Sequence, residues 1–287
     1  MTTFPATPEP PPPPPAPGKI TYGTYLRVPE LLELQHRLSK PPHHDELLFI
    51  ISHQVYELWF KQMLHELDEI GARLDADQPL RASPLLTRVH RIQHLLIEQI
   101  PLLETMFAVD FAAFRDNLRP ASGFQSIQFR KVEFICGAKN PKMIALAGDD
   151  PKVRAELEDY LRRPSVYDHF LRHLARVGFN IPREVLERDT SQPHEANAAV
   201  TDAIAELYRR HLEFYPQYLV AEALLDLEER FGIWRFHHVK MVERMIGGQT
   251  GTGGSSGARY LAGTLSIRLF PELWNVRDRL GAGYGAH

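Results

Sequence analysis

The chain has 287 residues, with 33 Lys plus Arg against 36 Asp plus Glu, a formal net charge of −3 and a single cysteine, Cys136. That length is enough to bury a substantial core, and near-balanced charge without a long basic block argues against a nucleic-acid or anionic-membrane partner. One cysteine excludes an internal disulfide, an iron–sulfur cage and a Cys-rich zinc site, and it fits a reducing cytosol, so a cytoplasmic location is expected.

Residues 1–18 are proline-rich and lack the apolar stretch of a secretory signal, so they are expected to form a disordered or polyproline tail. No apolar run is long enough to span a bilayer. The ordered part is expected to begin at Lys19 and to form one all-α domain over 19–287. Tyr22 and Tyr25 lie three apart in Tyr-Gly-Thr-Tyr-Leu. Pro29 reads as the first-turn residue of a helix running through Leu38, which Pro41-Pro42 ends.

From Asp45 to about Leu74 the pattern is strongly helical. Phe49, His53, Tyr56, Phe60, Met63 and Leu67 recur at three- and four-residue steps, and Leu48, Ile51, Val55 and Leu58 form a second apolar stripe beside them. So broad an apolar arc predicts a central, heavily buried helix. A second long helix is expected from about Ser83 to Phe107, bent at Pro101, followed by a Phe-rich piece from Phe107 to Leu118. Residues 122–136 read as a loop entering a helix, although alternation there also suits a strand. Two short helices, 151–163 and 164–177, meet at Pro164. A long helix is expected over about 195–230, and another over Trp234–Ile246 that stops at Gly247-Gly248. Leu261–Leu280 is expected to be helical with a break at Pro271. With no repeat and no series of alternating strands, the fold class expected is all-α.

Several side chains are candidates for chemistry. His237 and His238 are adjacent on a helix and point about 100° apart, so only one of them can face a given pocket. A neutral imidazole is a normal axial ligand of haem iron, while the bland alternative is a surface or satisfied core histidine. His53 lies one turn after Phe49 on an aromatic face. It is either a buried histidine bonded to a neighbour or a partner for a heteroaromatic N–H. Arg115 follows Phe111 by four residues. It pairs either with Asp116 or another carboxylate, or takes a ligand carboxylate in a two-bond fork. Ser122-Gly123 would add a hydroxyl and a close backbone. The run GTGGSSG at 251–257 lacks the Lys of a phosphate-binding loop and the spacing of a dinucleotide fingerprint. It offers backbone donors and the hydroxyls of Thr252, Ser255 and Ser256. Cys136, in Phe-Ile-Cys-Gly, reads as a small buried apolar residue.

Five stretches in order, YGTYL at 22–26, FIISHQVYELWFKQ at 49–62, FRDNLRPASGFQS at 114–126, RFHHVKMVERMIG at 235–247 and GTGGSSG at 251–257, closely resemble the tryptophan 2,3-dioxygenase family, and the likeness covers essentially everything after residue 18. The resemblance implies an all-α haem protein, a homotetramer built as a dimer of dimers. It implies cleavage of the indole C2–C3 bond of L-tryptophan by O₂ to N-formyl-L-kynurenine, with haem b (iron protoporphyrin IX) in the Fe(II) form. By position it implies His238, not His237, as the axial ligand and His53 as the residue near the indole N–H. Phe49 and Phe111 would form the aromatic wall, Arg115 would take the substrate carboxylate, and Ser122 and Gly123 would lie beside the haem. Thr252 would meet the ammonium and carboxylate, and Tyr22, Tyr25 and Leu26 would reach a neighbouring subunit's pocket. Phe111 stands where some members carry tyrosine, so one hydroxyl contact is missing. The competing expectation is a non-catalytic haem- or indole-binding helical protein on the same scaffold.

Overall fold

The computed structural model describes residues 19–254 and 256–281; the proline-rich tail, Ser255 and the last six residues lie outside them. Among the described residues every regular element is helical. The short helices α1 (Tyr22–Leu26) and α2 (Val28–Leu32) lead into α3 (His44–Asp75). They are followed by α4 (Pro79–Leu103), α5 (Ala108–Arg115), α6 (Ile127–Ile135), α7 (Pro151–Arg162), α8 (Val166–Arg176) and α9 (Arg183–Leu186). The chain then runs through α10 (Ala198–Arg209), α11 (Tyr215–Ile246), α12 (Ala258–Gly263), α13 (Pro271–Asn275) and α14 (Arg277–Leu280), with 3₁₀ turns at Asp116–Leu118, Gly123–Gln125, Pro141–Ala147 and Thr264–Ser266.

Two helices of 32 residues, α3 and α11, frame the molecule; at 1.5 Å per residue each is about 48 Å long. Helix α4 packs extensively against both, and α6 and α8 close onto α3 while α12 closes onto α11. The shared core runs through Met63, Leu67, Ile70 and Leu74 of α3, Leu86 and Val89 of α4, and Val220, Leu224 and Leu227 of α11, all excluded from water. These positions repeat at three and four residues, the spacing that puts an apolar stripe on one face.

Several boundaries differ from those the sequence suggested. Helix α2 stops at Leu32 instead of continuing to Leu38, because the following segment finds its hydrogen bonds on α3. The backbone N–H groups of Leu38 (2.6 Å) and Ser39 (3.1 Å) donate to the Glu46 carboxylate, and the Gln54 side chain donates to the Leu34 carbonyl at 3.1 Å. The second apolar stripe of α3 is not buried along its length: Ile51 and Leu58 are exposed. The helix expected over 195–230 is two helices. It breaks at Arg210–Phe214, where Pro216 sets the start of α11, and α11 then runs unbroken past Gly232 to Ile246. Helix α11 ends where expected, at Gly247, whose φ of 57° suits glycine. The stretch after residue 258 is three short helices and a 3₁₀ turn.

Buried charges fix the shorter helices onto this frame. Asp168 of α8 accepts from Arg188 Nε and Nη2 at 2.8 and 2.9 Å and from the Ser165 N–H and hydroxyl, both at 2.7 Å. Burial acts to raise its pKa, but the Arg188 charge and these bonds outweigh it and hold the carboxyl below the ordinary carboxylate value. Because the folded pKa is depressed, the stabilisation is complete above the unfolded value and is lost as pH falls through the folded one. Asp168→Asn is therefore expected to cost about 3 kcal/mol at neutral pH by stranding Arg188. In urea melts the gap from wild type should close only below the ordinary carboxylate range, and a gap unchanged in acid would refute this account.

Candidate active site

A cavity of about 280 Å³ lies between α3 and α11, floored by Ile100 and Leu103 at the end of α4 and closed by α5, α6 and the glycine-rich loop that precedes α12. Its wall includes Phe49, His53, Phe111, Arg115, Ser122, Gly123, His238 and Thr252. Eight residues singled out from sequence thus meet in one place. Tyr22, Tyr25 and Leu26 do not line it: they are exposed on α1, the two tyrosines at 78% and 75%.

The α3 wall is aromatic. The Phe49 ring centroid lies 4.1 Å from that of His53, 5.7 Å from Phe111 and 5.9 Å from Phe114, and the Phe111 and Phe114 rings meet edge-on at 5.4 Å. One turn along the helix, His53 Nδ1 is 2.7 Å from the Phe49 carbonyl. A carbonyl only accepts, so Nδ1 carries the hydrogen and Nε2 keeps its lone pair. Burial lowers the His53 pKa, opposed by the Phe49 carbonyl and the Glu57 charge. The side chain is a neutral acceptor of fixed tautomer.

On α11 the adjacent histidines separate. His237 is exposed, whereas His238 faces the cavity with its ring 5.1 Å from the Trp234 ring. Among the described residues its side chain has no hydrogen-bond partner. Burial, and then repulsion from His53, push its pKa down to about 4, which leaves its nitrogens neutral at pH 7.

Arg115 ends α5 and is buried, 7% exposed. The neighbouring carboxylate is not its partner, since Asp116 pairs with Arg119 at 3.1 Å. Instead Nη1 donates to the Gln249 side-chain oxygen at 2.6 Å and Nη2 donates to the Thr250 carbonyl. The glycine loop is fastened nearby by the Thr252 hydroxyl, which donates to the Ala121 carbonyl at 2.6 Å. Ser122 caps the turn that follows, its hydroxyl accepting from the Phe124 N–H at 3.3 Å. Gly253 packs so closely here that an added Cβ would lie 2.7 Å from Ser122 Cβ.

Sequence reasoning missed part of the wall. Trp234, Met241 and Met245 share the helix face of His238, four residues before it and three and seven after it, a signal present in the spacing. Arg130, Glu133 and Arg235 carried no comparable signal. Their side chains are only 8%, 11% and 7% exposed, and the Glu133 carboxylate lies between Arg130 Nη1 at 2.6 Å and Arg235 Nη2 at 3.2 Å. Among the described residues, two guanidiniums on one carboxylate leave a positive charge unmatched at the cavity wall, and Arg130 Nε has no hydrogen-bond partner.

Fold and cavity together define an all-α protein with an internal chamber. The chamber is apolar over most of its surface and set with two neutral imidazoles and a guanidinium that, among the described residues, meets neutral oxygens alone. Sequence comparison narrows that class. The chain matches the tryptophan 2,3-dioxygenase family across residues 16–148 and 149–280, and it belongs to that family. It is 45% identical over 264 residues to the tryptophan 2,3-dioxygenase of Serratia proteamaculans, covering 92% of this chain and 94% of the relative. It is 46% identical over 264 residues to that of Kineococcus radiotolerans, covering 92% of each, and 41% identical over 273 residues to that of Xanthomonas oryzae pv. oryzae, covering 95% of this chain and 92% of the relative.

The Gly253 contact makes the loop testable before any ligand is considered. Gly253→Ala must push the loop off Ser122, so limited proteolysis within 247–257 is expected to accelerate while thermal unfolding of the helices stays put. An unchanged cleavage rate would show that the close approach does not hold the loop.

Proposed function

We propose that this chain opens the indole C2–C3 bond of L-tryptophan with O₂, giving N-formyl-L-kynurenine, with haem b held by His238. The observation that carries this reading is a half-buried, neutral imidazole without a hydrogen-bond partner among the described residues, facing the same apolar chamber as a second imidazole of fixed tautomer. The residues fit the cofactor. A coordinating nitrogen must be unprotonated, and burial holds His238 so. A porphyrin carries two carboxylates, and the unmatched charge at Arg130 and Arg235, with the orphaned Arg130 Nε, suits an anion. When bound, ferrous haem supplies the activation of dioxygen.

The chain's own residues supply binding and orientation. Arg115 presents its guanidinium to the amino-acid carboxylate, with Nη1 freed when the Gln249 side chain turns away, and Thr252 of the glycine-rich loop meets the ammonium end. Phe49 and Phe111 pack the indole, with His53 Nε2 as acceptor for the indole N–H. Full removal of that proton is not required, because the C2=C3 bond of indole is already electron-rich. Ser122 and Gly123 shape the wall next to the cofactor. Held in this way, the substrate reacts from a pre-oriented complex, and proximity supplies a large share of the rate. Both oxygen atoms end in the product, and no external reductant is consumed.

The assembly reading rests on the amino-terminal segment. Tyr22, Tyr25, Leu26 and Leu32 are exposed, as are Ile51 and Leu58 of α3, apolar surface that an interface between subunits would remove from water. A homotetramer arranged as a dimer of dimers would cover it and bring α1 to a neighbouring subunit's chamber. No helix among the described residues is long and apolar enough to cross a membrane, and the buried single cysteine suits a cytoplasmic setting.

Mixing the haem-loaded ferrous protein with L-tryptophan and air should produce the near-ultraviolet absorbance of the formylkynurenine product. Haem binding without product would favour a non-catalytic haem- or indole-binding protein. His238→Ala should abolish the bound-haem absorption band, and normal haem spectra in that variant would reject the ligand assignment. Removing residues 1–18 should leave activity intact, whereas deletion through Leu26 should raise the Michaelis constant and shift the oligomer in sedimentation. An unchanged constant and unchanged size would place α1 outside any neighbour's site.

A further inference from the structure

We propose that Gln249 sets the affinity of the site by occupying, from within the chain, the place on Arg115 that the substrate carboxylate takes. This rests on the reading of Arg115 as the carboxylate clamp and deepens it. A buried guanidinium demands acceptors, yet among the described residues Arg115 makes no ion pair, and Asp116 is turned to Arg119. The nitrogens that would grip a carboxylate are filled by neutral oxygens, the Gln249 amide on Nη1 and the Thr250 carbonyl on Nη2. The first is a side chain and can leave; the second belongs to the backbone.

The loop is built so that leaving is a side-chain rotation. The Gln249 N–H donates to the Ile246 carbonyl at 3.1 Å. Its carbonyl is boxed by Gly257, where an added Cβ would come within 2.8 Å of it. Thr252 is tied to Ala121. Gln249 itself is exposed, so its released amide passes directly into water. A carboxylate makes a stronger, charge-assisted bond to guanidinium than an amide does, so tryptophan displaces Gln249 and gives up part of its binding energy in doing so. A ligand without a carboxylate leaves the Gln249–Arg115 bond intact. Gln249 is thus a positioning residue that acts through Arg115 and weakens only carboxylate-bearing ligands.

The test uses the haem-loaded protein, titrated spectroscopically with L-tryptophan and with tryptamine, alongside steady-state kinetics. In Gln249→Ala the dissociation and Michaelis constants for L-tryptophan should fall about three- to tenfold, the span expected for removing one competing hydrogen bond. kcat should hold within about twofold and tryptamine binding should be unchanged. Gln249→Glu, which places a carboxylate on Arg115 permanently, should raise the tryptophan constants by more than about tenfold. An alanine variant that binds tryptophan no better, or that shifts both ligands equally, overturns the proposal. Arg115→Ala separates the premises. If it leaves tryptophan binding untouched, the clamp reading fails. If it weakens binding while Gln249→Ala does nothing, the clamp stands and only the role of Gln249 falls.

Discussion

The packing of α4 between α3 and α11 is the constraint on which the rest of the molecule depends. The two 32-residue helices each make their largest helix–helix contact with α4 and no extensive contact with each other. As α4 runs out at Leu103, its last residues become the chamber floor. Beyond them α3 and α11 both contribute walls of the chamber. His53 and His238 project into that space from rigid, mutually supported helices, the kind of scaffold that holds a reactive geometry better than a loop does. The shorter helices α5, α6 and α12 close the chamber without setting its width.

Charge inside the protein is handled in two contrasting ways. Asp168 and Arg188 neutralise each other within a capped helix start, leaving no vacancy. Hydrogen bonds join Glu272 of α13, fully buried, to Tyr167 of α8 at 3.0 Å and to His194, in the loop before α10, at 2.7 Å, which ties α13 to both segments. At the chamber the balance is left incomplete. Among the described residues, Arg115 meets only neutral oxygens, and Arg130 and Arg235 share a single carboxylate. A buried cation without a matching anion costs stability, a cost that a bound anion would offset. The imidazoles show the complementary device, held neutral by burial so that their lone pairs remain available.

Much of this was legible in the sequence where a local rule governs the outcome. The three- and four-residue spacing from Phe49 to Leu67 gave α3, and Gly247 gave the end of α11. The chance that Arg115 simply pairs with Asp116 could be settled only in three dimensions, since it depended on which way Asp116 turns. Boundaries failed where distant groups decided them. Nothing local in Leu34–Ser39 forbids helix; Glu46 and Gln54 capture its backbone from another element. The 195–230 reading ran through Arg210–Phe214 because apolar periodicity continues on both sides of the break. Glu133 becomes a site residue only because α6 brings it to Arg235 of α11, a meeting that no spacing along the chain encodes.

The glycine-rich loop shows how composition can mislead about purpose. Its glycines suggest flexible backbone reaching for a ligand, but the structure uses two of them for contact. Gly253 lets the loop lie against Ser122, and Gly257, at a φ of 58°, lets the chain fold back over the Gln249 carbonyl. Thr252 fastens the loop to Ala121, and the Gln249 N–H bonds back to the Ile246 carbonyl. On the role proposed for Gln249, an internal hydrogen-bond partner of Arg115 gives way to an external one by rotation of a single exposed side chain, a smaller ordering cost than rebuilding a backbone segment would carry.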